Sequence, residues 1–143
     1  MSFNIPFTQL LRYLALSLLV SSSLFLQGCI SFNSLADARD GKGSGQVKEY
    51  SANRDQVWQQ ALTIIAESDL SLVNADVTQG LILAQQPIAP LSLTAGQNVA
   101  IYVSESQGRT RVEVISRKAL GDIEFVSKDW EDYILERLDQ RFI

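Results

Sequence analysis

The sequence predicts an α+β domain: an antiparallel sheet of four to five strands with two helices on one face, in the order β-α-β-β-β-β-α. Three observations lead there. NVAIYVSES (98–106) and RTRVEVISRK (109–118) alternate apolar and polar side chains with a period of two, as half-buried strands do. RDQVWQQALTIIAES (54–68) and SKDWEDYILERLDQRFI (127–143) space apolar side chains three and four apart, as amphipathic helices do. Short clusters containing Gly, Asn, Asp and Ser punctuate the chain and read as turns.

The chain before the domain divides in two. Residues 1–28 read as a signal peptide. Tyr13 to Leu26 is almost wholly apolar or Ser, and Arg12 precedes it, which makes a short apolar region behind a positive charge. A membrane-spanning helix needs about 20 apolar residues. Here Ser21, Ser22 and Ser23 interrupt the run, and Gln27 and Gly28 end it.

Leu26-Gln27-Gly28-Cys29, directly behind that run, resembles a bacterial lipobox. The resemblance implies a diacylglycerol on the Cys29 thiol, cleavage between Gly28 and Cys29, and acylation of the new amino group. A small Gly28 lets the backbone enter a narrow protease site. One acyl chain holds only marginally, whereas two or more anchor stably at about 0.8 kcal/mol per buried methylene. The stretch before the apolar region departs from the pattern, since Arg12 is its only charged side chain. In lipoproteins of enteric-type bacteria an Asp after the cysteine retains the protein at the inner membrane. Ile30 and Ser31 stand here, so the resemblance implies the outer membrane, on its periplasmic side. Residues 29–46 then read as a lipidated flexible tether, because Gly41, Gly43, Ser44 and Gly45 fill its second half. Residues 47–143 read as the periplasmic domain.

Within the domain, Val47 to Ser51 reads as a first strand. Asn53 is placed to cap the first helix, with Gln56 at the position that completes a capping pair. Val57, Trp58, Ala61, Leu62, Ile64 and Ile65 form its apolar face. LSLVNADV and LILAQQ read as two strands joined through Thr78-Gln79-Gly80. In the next pair, joined at Ser106-Gln107-Gly108, Val99, Ile101 and Val103 share one face, as do Val112 and Val114. Arg109, Arg111, Glu113 and Arg117 take the opposite face, expected to be solvated. The last helix carries Trp130, Tyr133, Ile134, Leu138 and Phe142 on one stripe, with Ser127 as its expected cap.

This order resembles the small helix-grip domains of several envelope lipoproteins, including the C subunit of the β-barrel assembly machine. The resemblance covers about Val47 to Ile143. It rests on element order, on Val57-Trp58 early in the first helix and on the Asp76 to Gly80 turn. It carries over no functional residues.

Composition narrows the function. The 143 residues suit one domain. With 12 Lys plus Arg against 16 Asp plus Glu, the net charge is −4, so nucleic acid is not an expected partner. The chain has no histidine and one cysteine, which removes the commonest general base, an internal disulfide and a cysteine-based zinc site. No metal, cofactor or catalytic residue is assigned. Asp122 and Glu124 form a carboxylate pair of the kind a hydrolase uses, but a solvated acidic turn before a helix accounts for them more simply.

Two features suit binding. Ile88, Leu91 and Leu93 sit in an apolar connection with Pro87 and Pro90, and either tuck into the core or meet an envelope protein. Arg109, Arg111, Arg117 and Lys118 could meet anionic lipid or sugar phosphate. The expectation is a non-catalytic interaction or accessory module, held to the membrane through Cys29. The alternatives are a carrier of a small apolar ligand between helix and sheet, and a carboxylate-dependent hydrolase.

Overall fold

In the computed structural model, which describes residues 34–87, 96–119 and 128–142, the alternating stretches form a five-stranded antiparallel sheet. The elements are α1 (Leu35–Asp40), β1 (Gln46–Tyr50), α2 (Arg54–Ala66), β2 (Ser71–Asp76), β3 (Leu81–Gln86), β4 (Gln97–Ser106), β5 (Arg109–Lys118) and α3 (Trp130–Phe142). The strands lie in the order β1-β5-β4-β3-β2. The α+β class, the antiparallel sheet and the two long helices are as the sequence predicts. A third, short helix is added.

Local chemistry sets the turns. Gln107 at φ 51° and Gly108 at φ 76° are both left-handed, the geometry a two-residue hairpin needs to follow the strand twist. Asp76 Oδ1 accepts the Thr78 and Gln79 N–H groups at 2.9 and 3.0 Å, closing the β2–β3 turn. Gly80 ends that turn at φ 65°, and a Cβ there would lie 2.2 Å from the Val103 carbonyl oxygen. Asn53 Oδ1 caps α2 by accepting the Gln56 N–H at 2.8 Å. Asp129 Oδ1 caps α3, accepting from Glu131 and Asp132 at 3.1 Å each. Ser127, the expected cap, lies outside the described residues.

The main core sits between the sheet and the two long helices. Ile82, Ala84, Val99, Ile101, Val103, Val112 and Val114 face Val57, Trp58, Ala61, Ile64 and Ile65 of α2 and Trp130, Ile134, Leu135 and Leu138 of α3. Both tryptophans belong to this one cluster.

Residues 34–46 correct the expected 29–46 tether, and the domain begins before residue 47. Asp37 accepts from the Ser34 N–H and hydroxyl at 2.5 and 2.7 Å, which fixes the first turn of α1. Ala38 is fully buried against the second sheet face in a cluster with Leu81, Leu83, Ala100 and Ile115. Leu35 and Tyr102 flank it. That face carries apolar side chains that need cover, and α1 supplies it. Gly45 serves contact rather than slack. A Cβ on Gly45 would lie 2.1 Å from the Val114 carbonyl oxygen, so only glycine lets the chain rest this close to β5.

The core assigns the tryptophans a measurable weight. Trp130→Ala, and separately Trp58→Ala, are expected to lower unfolding free energy by about 3–5 kcal/mol, the usual range for large aromatic truncations. Urea unfolding of the domain measures this. A loss below about 0.5 kcal/mol would place that ring at the surface instead.

Candidate functional site

The sequence-predicted sites divide by location. Gly28, Cys29, Ile88, Leu91, Leu93, Asp122 and Glu124 all lie outside the described residues. The connection holding Ile88, Leu91 and Leu93 leaves from Gln86 and returns at Gln97. These pair with each other, and Gln97 pairs with Lys118, so both attachment points and the end of β5 share one end of the sheet.

That end is a satisfied polar network. Gln97, almost wholly buried, donates to the Lys128 carbonyl at 2.8 Å and accepts from the Ser116 hydroxyl at 2.6 Å. The Glu131 carboxylate accepts the Ser116 N–H at 2.9 Å and the Gln46 N–H at 3.2 Å, pinning the start of α3 to β5 and β1 at once. Lys128 Nζ stands over the Trp130 and Tyr133 rings, 4.3 and 3.4 Å from their centroids. Lys118 lines an open groove of about 380 Å³ here, with Gln97, Ser116, Lys128, Asp129 and Glu131. The Ser116 hydroxyl is thereby committed to the Gln97 amide oxygen.

The basic residues of β5 do not form one free cluster. Arg109 bonds to the Glu49 carbonyl at 3.3 Å, and Arg117 donates to the Ser44 hydroxyl at 2.6 Å. Arg111 lies 3.5 Å from Glu113 Oε2. Lys118 is on the groove side just described. Glu113 departs most from expectation: it is 1% exposed rather than solvated. Its Oε1 accepts the Gly43 N–H at 2.5 Å and the Gly45 N–H at 3.4 Å. The glycine turn after α1 therefore closes over it, and a period-two pattern alone cannot report that cover.

Two further surfaces emerge. At the β1 end, the Tyr50 hydroxyl lies 3.1 Å from Asp139 Oδ1 and 3.3 Å from the Leu135 carbonyl, and Lys48 pairs with Asp139. At the opposite edge, Leu72, Val73 and Val77 are each about half exposed, beside a bulge between Leu72 and Asn74. β1 carries the charged Lys48 and Glu49, the usual guard on a strand edge, whereas Ser71 to Ala75 of β2 carries no charge. No helix among the described residues is long and apolar enough to cross a membrane.

No protein-family model matches the chain, and no curated protein matches its sequence.

Tyr50 gives the domain a pH signature. Burial, then the Asp139 charge and the hydrogen bond to it, push its hydroxyl above the ordinary tyrosine range. The unfolded chain loses that proton near pH 10, so stability is full below about pH 10 and falls as pH rises past it. Tyr50→Phe is expected to flatten the fall in alkaline urea titrations. Tyr102, which burial also raises, contributes to the slope that remains. An unchanged slope in Tyr50→Phe would contradict the assignment.

Proposed function

We propose that the chain is an outer-membrane lipoprotein, anchored through Cys29 on the periplasmic side, whose α+β domain is a non-catalytic interaction module. The observation that carries the reading is the lipobox at residues 26–29, lying directly ahead of an independently packed domain. Cleavage between Gly28 and Cys29 leaves acyl chains on the first residue of the mature protein, and two or more chains make a stable anchor. The close-packed core supports a module over a carrier of an apolar ligand. Trp130, Ile64, Ile65, Ile82, Ile101 and Ile134 fill the space between sheet and helices with less than 2% of their surface exposed.

The partner in this reading is an envelope protein that meets Ile88, Leu91 and Leu93. Pro87 and Pro90 restrict that connection in the free chain, which lowers the ordering loss on binding and equally suits a loop pinned against the core.

Fatty-acid labelling in cells tests the anchor. Wild-type protein takes up label, and Cys29→Ser takes up none and accumulates as precursor or as a soluble form. Label retained by Cys29→Ser would contradict the anchor. The docking role has its own test in the double substitution Leu91→Ser with Leu93→Ser. A docking surface keeps stability within about 0.5 kcal/mol and loses the co-purifying partner. A destabilisation of several kcal/mol, at about 1.5–3 per large side chain, with partner affinity intact, would place both leucines in the core.

A further inference from the structure

Residues 34–45 join the cysteine read as the anchor to the first strand, and few groups hold them in place. α1 has six residues, of which Ala38 is the buried one. A helix that short does not persist unaided. The turn after it closes on itself, with the Ser44 N–H and hydroxyl donating to the Gly41 carbonyl at 3.0 and 2.6 Å, and its main-chain link to β5 is one carboxylate. Glu113 Oε1 takes the Gly43 and Gly45 N–H groups, while Oε2 is buried with no hydrogen-bond partner, facing Arg111 Nη1 at 3.5 Å. Such a group is retained in a fold only while its remaining bonds compensate for lost hydration. The other ties lie at the rim. Arg117 holds the Ser44 hydroxyl, the Tyr102 hydroxyl donates to the Arg39 carbonyl at 2.5 Å, and Lys42 Nζ stands 4.8 Å from the Tyr102 ring centroid.

This segment lies outside the main core and outside the strand ladder: the core between sheet and long helices contains none of its residues, and no strand pairs with it. The segment covers one face of a sheet that is already complete.

We propose that residues 34–45 are a releasable latch, clipped to β5 through Glu113, that sets how far the domain stands from its anchor. Clipped, the chain is fixed to the sheet from Ser34 onward. Released, its twelve residues join the tether and add up to about 40 Å of reach, at 3.3–3.6 Å per residue. Release also uncovers Leu83, Ala100 and Ile115, which makes the clipped state the resting one. The change of reach rests on the lipid-anchor reading; the latch itself does not.

Hydrogen exchange followed by mass spectrometry tests the latch, on the full lipidated chain in phospholipid nanodiscs and on unlipidated Cys29→Ser protein. In both, amides of 35–45 are expected to exchange at least about 100-fold faster than those of β4 and β5, yet slower than an unstructured chain, because they open without global unfolding. Glu113→Gln, which keeps size and removes charge, is expected to speed exchange of 35–45 at least tenfold, with α2 and α3 unchanged. Gly45→Ala should do the same from the other side, through its clash with the Val114 carbonyl. If Glu113→Gln fails to fold, the wild-type rates and Gly45→Ala still decide. Exchange of 35–45 in step with β4 and β5, or rates unmoved by both substitutions, would overturn the latch. Spin-label distances from domain to bilayer should lengthen in both variants. Faster exchange at unchanged distance would overturn the reach claim, and a chain that does not enter nanodiscs counts against the anchor alone.

Discussion

β5 pairs with β4 over its whole length, from Arg109 opposite Ser106 to Lys118 opposite Gln97, and it pairs with β1 from Thr110 to Val114. All three helices are referred to it. Thr110 donates to the Ala52 carbonyl at the start of α2, the Ser116 N–H binds Glu131 at the start of α3, and Ile115 packs with Ala38 of α1. Val112 and Val114 look into the main core while Glu113 and Ile115 look into the second. Covering both faces of this one strand is the constraint from which the rest follows. One face needs a broad apolar surface, which α2 and α3 provide. The other needs a thin cover, which a short helix and a run of glycines provide.

That asymmetry bears on function. The thick side is a filled core, suited to giving the domain stability and a fixed shape. The thin side is where the chain arrives from the proposed membrane anchor. A domain tied to a bilayer is confined near its partners, so modest contacts suffice for association. Three of its exposed apolar side chains, Leu72, Val73 and Val77, sit at the β2 edge, and a fourth, Val47, is on β1 at the other edge of the sheet.

Much of the fold was legible in the sequence because period-two and helical spacing report burial against a broad apolar face. Val99, Ile101 and Val103 did so on β4, and Asn53 announced its helix by capping chemistry. The second face was not legible for two reasons. Leu35 and Ala38 span a single helical turn, too short a repeat to stand out, although Ser34 with Asp37 was a local start signal. The glycines of residues 41–45 suit slack chain and close contact equally, and only the 2.1 Å approach at Gly45 decides between them. Glu113 looked like one more outward charge on an alternating strand, and its burial depends on a segment some 70 residues earlier in the chain. Of the candidate site, the resemblance of Leu26-Gln27-Gly28-Cys29 to a lipobox is local and needs no fold to be seen, whereas the polar network around Gln97 joins residues from β4, β5 and α3 that no spacing rule connects.

The account's central claim is that residues 34–45 belong to the domain, as cover for the outer face of β5, and are not slack tether. Comparing the urea unfolding free energies of fragments 31–143 and 46–143 tests this most directly. The shorter fragment should stay folded, with both long helices intact, and be less stable by about 2–4 kcal/mol, the scale of re-exposing one or two large apolar side chains. Equal stability of the two fragments would contradict the claim and return these residues to the tether.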